Sequence, residues 1–516
     1  MEHNTEHKIF ILPGEPNDAN REYLPEAIKG SNMVVNENGN NSQVYPPGLK
    51  EYKGCLADGV EDVWYEYVPA SYQPHKKTPL VVSMHGGLMT GWGQAIYTSW
   101  TLVADREGFI VVFPNAHKNR MWMIECDPEK VELMIKGMQG VPPLNPPEGS
   151  VEEYHDVKAA AALIALMQKK YNIDEGRIFM QGMSMGNAMT SQFARYMGHL
   201  LAGAAGSGCP TSLNLLFDKE GNPINCGGAM DIWQSRLEWD KVPPHYGTDD
   251  HDTVLGNCRY WNLVNGCRGL PKIKIEGENN YAFWSGEKAD MVLRDVRNRD
   301  HGQTFDDAQW VWDYLFSGTR KEKDGTIVHE RPLLEREGDR FAIAAAWGKS
   351  KAWVSGRVVD MGVEAVKWQK LKYHGLNGDS IVRGEYVCVP LSFVAEIFQA
   401  EYEEQMEGTV VYLKMPDGKT LQFARGCIGC VIDNRVESML CEALYRNGRL
   451  YVSLEWFCTR VCGLRSSSYD QVLYVTDHDA QLSRYMAWLL EDILEDTNRQ
   501  DKEPEKTQQE GIYGAE

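Results

Sequence analysis

The stretch that decides the fold reads Arg177-Ile-Phe-Met-Gln-Gly-Met-Ser-Met-Gly186. Its first half, residues 177–181, is a largely apolar run that predicts a buried strand. Helical periodicity follows over residues 187–196. Between the two, the pentapeptide Gly-Met-Ser-Met-Gly places glycines where a tight turn from strand to helix crowds the backbone. The pattern therefore predicts a nucleophile elbow, in which Ser184 is exposed in a strained conformation at the start of the helix.

Strands and helices alternate on both sides of this stretch. Residues 63–68 alternate as a half-buried strand does, whereas residues 80–84 and 109–113 are apolar runs typical of central parallel strands. Residues 157–170 have helical periodicity. The alternation predicts the α/β class for this part of the chain.

A domain boundary is predicted soon after the helix that ends at Ser317-Gly318, because charged chain follows it. Beyond residue 350 the pattern changes to short strands and polar turns, with two similar strand-to-helix segments at 384–396 and 448–458, which favour a smaller α+β domain. We therefore predict an irregular extension over 1–60, an α/β domain over 61–320, an accessory domain over 350–478, and a helix with a solvated tail over 479–516.

The composition excludes several classes of protein. The chain has 516 residues with 43% hydrophobic and 24% charged side chains, which is typical of folded globular proteins. Its net charge of −20 repels phosphate and anionic lipid, so nucleic acid is not an expected partner. No window approaches the ~18 consecutive apolar residues of a membrane span. With no visible secretion signal and 12 scattered cysteines, we expect a cytoplasmic protein, or a secreted one if a leader has been removed.

The segment His85-Gly-Gly87 directly follows the predicted strand at 80–84. A loop at this place can offer a backbone N–H to the oxyanion that develops during acyl transfer. The N–H of Met185, the residue after the serine, would be the second donor. We do not expect the His85 imidazole to act as a base.

A histidine base is expected after the serine in the chain. His301 lies in the polar loop Arg299-Asp-His-Gly-Gln303, just before the helix predicted at 306–316, and is our candidate. His245 and His251 are less attractive, because they lie in a stretch rich in Pro, Gly and Asp that is typical of an insertion.

The acid of such a site is expected between the serine and the histidine. Residues 230–237 are predicted to form a strand, and Glu238-Trp-Asp240 the turn that follows it. Asp240 is the first choice and Glu238 the alternative. The carboxylate would hold the tautomer of His301 and stabilise its imidazolium form.

Several further segments occur in a characteristic order. They are Val63-Trp-Tyr-Glu-Tyr-Val-Pro69, Pro79-Leu-Val-Val-Ser-Met-His-Gly-Gly87, Asp156-Val157, Ile173-Asp-Glu-Gly-Arg177, the elbow, Tyr260-Trp-Asn-Leu-Val-Asn-Gly-Cys267 and Asp300-His-Gly302. By these segments, residues 62–317 resemble the polyhydroxybutyrate depolymerase and feruloyl/acetylxylan esterase group of α/β-hydrolases.

The resemblance implies an α/β-hydrolase fold, with Ser184 as nucleophile, His301 as base, and Gly87 and Met185 as oxyanion donors. It implies no metal and no cofactor. The family's strand normally ends in His-Gly-x-x-Asp, where this chain has Gln234-Ser-Arg-Leu-Glu-Trp-Asp240. The choice between Asp240 and Glu238 therefore stays open.

The C-terminal region resembles the copper amine oxidase N-terminal-like domains of bacterial proteins, which are non-catalytic modules. The resemblance rests on Val389-Pro-Leu391 and, with serine in place of proline, Val452-Ser-Leu454. No copper-ligand set is visible. Two pairs of closely spaced cysteines occur at 427/430 and 458/462. A zinc site is one interpretation of them, but we expect buried free thiols instead. We expect this region to contribute no catalytic group, and an oligomer formed through it is compatible with the sequence.

The function indicated is that of a serine esterase acting on a small-molecule or polymer-linked ester, without a cofactor. Two alternatives stay open. A peptidase of the prolyl-oligopeptidase type uses the same three residues, but about 60 N-terminal residues cannot build its β-propeller. A catalytically silent binding protein on a hydrolase scaffold is the other.

Overall fold

The computed structural model describes residues 9–11, 45–137, 143–243, 246–374 and 379–495 of the chain. A ten-stranded mixed sheet is the centre of residues 50–296, with the strand order β1-β2-β4-β3-β5-β6-β7-β10-β9-β8. Its strands are β1 Lys50–Gly54, β2 Asp62–Tyr67, β3 Thr78–Met84, β4 Ile110–Pro114, β5 Ile173–Met183, β6 Gly203–Ser207, β7 Asp231–Leu237, β8 Lys272–Glu276, β9 Asn279–Trp284 and β10 Met291–Val296.

The central strands β4, β3, β5, β6, β7 and β10 run parallel to one another. The remaining strands form antiparallel edges on both sides. Every residue of β4, β7 and β10 is buried, because parallel strands in such a sheet are covered on both faces. The carboxyl ends of β3, β5, β7 and β10 therefore meet at one edge of the sheet.

Helices cover both faces of this sheet. Side chains of α1, α2 and α8 pack on one face, and those of α4, α5 and α7 on the other. The helices are α1 Gly91–Tyr97, α2 Trp100–Glu107, α3 Val131–Lys136, α4 His155–Lys170, α5 Met185–Met197, α6 Leu213–Leu216, α7 Asp250–Asn265 and α8 Asp307–Tyr314. The predicted α/β class is confirmed. No helix within the described ranges is long and apolar enough to cross a membrane.

One strand of the sheet lies in the segment for which the sequence predicts only irregular chain. Residues 50–54 form β1 and pair antiparallel with β2 at the sheet edge. Three of the five residues of β1 are exposed. Because this strand buries little apolar surface, its sequence carries no clear strand pattern.

The C-terminal region is built mostly of strands, and the prediction of a smaller α+β domain is corrected here. The two predicted strand-to-helix segments are present, but their helices are short. The first spans seven residues, and the second spans three residues that continue into a π-helical turn, Phe457–Val461. Antiparallel hairpins join most of the other elements. They are β11 Thr319–Lys321, β12 Ile327–His329, β13 Ala342–Ala346, β14 Lys351–Val354, β15 Arg357–Asp360, β16 Val366–His374, β17 Asp379–Pro390, α9 Leu391–Ile397, β18 Glu401–Gln405, β19 Val410–Lys414, β20 Thr420–Ala424, β21 Gly429–Ile432, β22 Arg435–Ser438, β23 Leu444–Arg446, β24 Arg449–Ser453, α10 Leu454–Trp456, β25 Arg465–Tyr469, β26 Val472–Thr476 and α11 Arg484–Glu495.

A five-stranded sheet, in the order β15-β14-β13-β26-β25, connects the two regions. Ala342 and Ala344 of β13 belong to the core that also contains α4 and α5, whereas Ile343 and Ala345 belong to the core of the C-terminal strands. Helix α11 adds Met486 to the first of these cores. Helix α11 therefore packs back onto the α/β region.

Candidate active site

Ser184 lies in a strained turn between β5 and α5. Its φ of 55° and ψ of −122° are in a region that residues with a side chain rarely adopt. A Cβ on Gly182 would lie 2.0 Å from the carbonyl oxygen of Gly186, and one on Gly186 would lie 2.3 Å from that of Met84. Only glycine fits at either position, and this explains the spacing of the pentapeptide.

Three predicted side chains form a continuous hydrogen-bonded array. His301 Nε2 lies 2.8 Å from Ser184 Oγ. On the other side of the ring, His301 Nδ1 lies 2.8 Å from Asp240 Oδ1. The serine follows β5, the acid follows β7, and the histidine follows β10, so three loops at the same sheet edge supply the array.

A hydrogen bond fixes the loop that carries His301, while the imidazole itself is accessible to solvent. Ser207 Oγ donates to the carbonyl of Gly302 at 2.5 Å, whereas 52% of the His301 side chain is exposed. The hydrogen bond that His301 Nδ1 donates to the Asp240 carboxylate raises the pKa of His301 above its ordinary value. The charge of Asp300 adds to this, while burial opposes it. An imidazole placed in this way can accept a proton from the serine hydroxyl and is reachable from solvent.

The two candidate acids have different partners. Asp240 is 7% exposed and directs its carboxylate at His301. Glu238 is also buried, but its Oε2 accepts a hydrogen bond from the backbone N–H of Asn298 at 2.8 Å. The structure thus brings Asp240, and not Glu238, to the imidazole.

A glycine next to the array allows Asp240 and His301 to lie close to the backbone. Gly208 has a φ of +67°, and a Cβ there would lie 3.0 Å from Asp240 Oδ2 and 3.3 Å from His301 Cε1. The amide Nδ2 of Asn187 donates to the Gly208 carbonyl at 2.5 Å and fixes this segment. Sequence reasoning missed both residues, and the only signal was the position of Asn187, directly after the elbow.

Gly87 lies beside the side chain of Met185, the residue that follows Ser184. A Cβ on Gly87 would lie 3.6 Å from the sulfur of Met185. Among the described residues, neither backbone N–H has a hydrogen-bond acceptor. The loop is held by the N–H of Leu88, which donates to the carbonyl of Arg120 at 2.9 Å. That the two N–H groups bind an oxyanion formed beside Ser184 stays a prediction.

Of the other histidines considered in the sequence, His85 and His251 have other contacts. His85 is fully buried; its Nε2 accepts from the N–H of Ala116 at 2.9 Å, and its Nδ1 contacts the Gly86 carbonyl. Burial lowers the pKa of His85 to about 4, so this ring is neutral and structural. His251 is paired with Asp492, and His245 lies outside the described residues.

Within the described ranges, three clusters have the residue types of a metal site. In the first, His155 lies 2.8 Å from Asp62 and 2.9 Å from Asp58, which lies outside the cluster. In the cluster Asp231/Asp290/His329, His329 contacts both carboxylate oxygens of Asp231 at 2.9 Å. The four cysteines of the two closely spaced pairs are free thiols and belong to none of the clusters. Cys430 and Cys458 are buried as expected, whereas Cys427 is exposed and Cys462 is half-buried. The clusters are Asp62/His117/His155, Asp231/Asp290/His329 and Asp249/His251/Asp252.

Comparisons with known proteins give distant similarities. No protein-family model matches the chain. Over 124 residues, or 24% of its length, the chain is 28% identical to a bifunctional acetylxylan esterase/xylanase of Neocallimastix patriciarum, and it spans 14% of that relative. An acetyl xylan esterase structure from Aspergillus awamori is 16% identical, with 52% of this chain and 98% of that chain covered and a TM-score of 0.38. A feruloyl esterase module from Clostridium thermocellum is 11% identical, with 52% and 90% covered and a TM-score of 0.31.

Proposed function

We propose that this chain is a serine esterase that hydrolyses carboxylic esters through an acyl-enzyme on Ser184. The observation that carries the proposal is the array Ser184–His301–Asp240, with 2.8 Å at each contact, at a strained turn after a central strand. This constellation is recognised by its geometry and by the role of each group. The substrate class is a small-molecule or polymer-linked ester, and the reaction needs no cofactor.

In the first half-reaction, Ser184 Oγ attacks the ester carbonyl while its proton moves to His301 Nε2. The negative charge on the carbonyl oxygen is stabilised by the N–H groups of Gly87 and Met185. The C–O bond to the alcohol then breaks, and His301 returns the proton to the leaving oxygen. Asp240 stays ionised throughout and stabilises the imidazolium.

In the second half-reaction, water replaces the alcohol. His301 accepts a proton from the water as its oxygen attacks the acyl carbon, and the same two N–H groups hold the second oxyanion. The bond to Ser184 Oγ breaks, His301 reprotonates the serine, and the carboxylic acid leaves. The exposed face of His301 gives water access to this step.

A fluorophosphonate probe separates this proposal from a silent scaffold. We expect the wild-type protein to be labelled at Ser184, because the probe reacts with an activated serine. His301→Ala should abolish labelling while the fold stays intact, since it removes the base and leaves Ser184 in place. Peptide mass spectrometry locates the adduct. A folded wild-type protein that is neither labelled nor active on a panel of p-nitrophenyl esters would contradict the proposal.

The pH profile of kcat/KM should have an acid limb above pH 6.5. The base must be neutral to accept a proton, and Asp240 raises the pKa of His301 above its ordinary value of 6.5. Activity is therefore lost as the pH falls through this raised pKa. The measurement is kcat/KM for a soluble ester between pH 5 and 9, and a limb centred well below 6.5 would contradict the assignment of His301.

A further inference from the structure

The backbone carbonyl of Asp240 accepts hydrogen bonds from two side chains of α11. Arg484 Nη2 lies 2.7 Å from this oxygen. The hydroxyl of Tyr485 donates to the same oxygen. Arg484 is 8% and Tyr485 1% exposed. Two buried donors from the far end of the chain thus converge on the residue that contacts His301.

Asp240 has little local support of its own. It lies outside helices and strands, in the turn after β7, and its own N–H donates to the Leu237 carbonyl at 2.9 Å. The preceding N–H, that of Trp239, donates to the carbonyl of Arg299 at 2.9 Å. The direction in which the carboxylate points is therefore set by how the backbone of this turn is held, and α11 supplies the contacts to its carbonyl.

Helix α11 is itself anchored to the strands that carry the site. The N–H groups of Tyr485 and Met486 donate to Asp295 Oδ2 at 2.8 and 3.1 Å. Asp295 lies on β10, opposite Arg236 of β7 in the parallel register. On β9, Asn280 Oδ1 accepts from the N–H of Ser483 at 3.0 Å. The start of the helix is thus fixed to the sheet beside the acid's own strand.

The guanidinium of Arg484 is also fixed by its surroundings. It lies 4.5 Å from the ring centroid of Tyr485 and 5.3 Å from that of Trp488, which are cation–π distances. Its Nη1 is 3.5 Å from Asp250 Oδ2, at the start of α7. A long side chain held on several sides keeps its donor in place at a small further entropic cost.

We infer that Arg484 and Tyr485 are positioning residues for the acid, so that the C-terminal helix completes the catalytic site of the α/β region. The inference rests on the proposed function. It goes beyond the expectation that the C-terminal region contributes no catalytic group, because a positioning residue acts through Asp240. The two residues act by preorganising the catalytic groups. A misplacement of about 1 Å among reacting groups can cost ~10²-fold in rate.

The test uses the full-length chain with Arg484→Lys, Tyr485→Phe and the double variant. We expect the double variant to lose ~10- to 10²-fold in kcat on a soluble p-nitrophenyl ester with little change in KM, because the substrate contacts are unaltered. Each single variant should lose less, since one donor remains. The acid limb of kcat/KM should also move to lower pH, since a weaker Asp240–His301 bond no longer raises the pKa of His301 as far.

Asp492→Asn is the matched control, because Asp492 lies on the same helix and pairs with His251 at 3.0 Å, away from Asp240. It should leave kcat and the acid limb unchanged. A folded double variant with wild-type kcat and an unmoved limb would overturn the inference. If the double variant does not fold, the two single variants decide by the same readouts. Failure of the proposed function is distinguished by Ser184→Ala: if this variant stays active, the triad assignment fails first.

Discussion

Ser184→Ala should reduce kcat on any ester that the protein hydrolyses by ~10⁴- to 10⁶-fold. The substitution removes the nucleophile, and His301 then has no hydroxyl within 2.8 Å to deprotonate. The melting temperature should change little, because alanine at this position meets the same φ of 55° that serine already adopts. Steady-state kinetics and thermal unfolding of one preparation measure both effects.

Ser191→Ala is the matched control for this result. Ser191 lies on α5, the helix that follows Ser184, and its hydroxyl contacts that of Thr211 at 2.8 Å rather than the array. Its kcat should stay close to that of the wild-type protein. More than a few per cent of wild-type activity in pure Ser184→Ala protein would show that another residue attacks the ester.

Asp240→Asn should reduce kcat by ~10³- to 10⁴-fold. The amide fills the same space as the carboxylate, but it cannot stabilise the imidazolium and favours the wrong tautomer of His301. The acid limb of the pH profile should also move to lower pH, because the hydrogen bond that His301 donates to Asp240 is the largest cause of the raised pKa of His301.

Glu238→Gln provides the comparison within the same turn. The glutamine oxygen can still accept the hydrogen bond from the Asn298 N–H, so we expect only a small loss of activity. The measurement is kcat for both variants on one substrate. The reverse ranking would assign the role of the acid to Glu238.

Sequence patterns of a few residues were sufficient to predict the parts of the site whose geometry depends only on neighbouring residues. The turn around Ser184 needs glycine at 182 and 186 because carbonyl oxygens lie within 2.0 and 2.3 Å of the missing Cβ atoms. A requirement of this kind is visible in any sequence that meets it. The central strands β3 and β4 were likewise predicted from their apolar runs. Strands β6 and β10 were not predicted, because β6 consists of small residues and β10 contains the buried Arg294 and Asp295.

The choice between the two candidate acids could not be made from the residues around them. Glu238 and Asp240 are two residues apart in one turn, and they differ only in what the loop at 298–301 presents to each of them. That contact joins positions about sixty residues apart, so no window of the sequence contains it. The role of Arg484 and Tyr485 was still harder to predict. The periodicity of their helix indicates that they are buried, but it does not indicate that they contact the carbonyl of Asp240.

The C-terminal region shows the same limit for fold class. The strand-to-helix segments at 384–396 and 448–458 were recognised, but the lengths of their helices were not. Hairpin strands with one exposed face, such as β18, where four of five residues are exposed, carry weak patterns. Short helices and weak strands together led to α+β where the structure is mostly β.

The most direct test of the account is to trap the acyl-enzyme. Wild-type protein is mixed with p-nitrophenyl acetate, quenched in acid within milliseconds, and digested for mass spectrometry, with Ser184→Ala treated in parallel. We predict one acetyl group on the peptide that contains Ser184, formed together with a burst of p-nitrophenol, and none in the variant. Hydrolysis without an acetylated Ser184, or an equal burst from Ser184→Ala, would contradict the account.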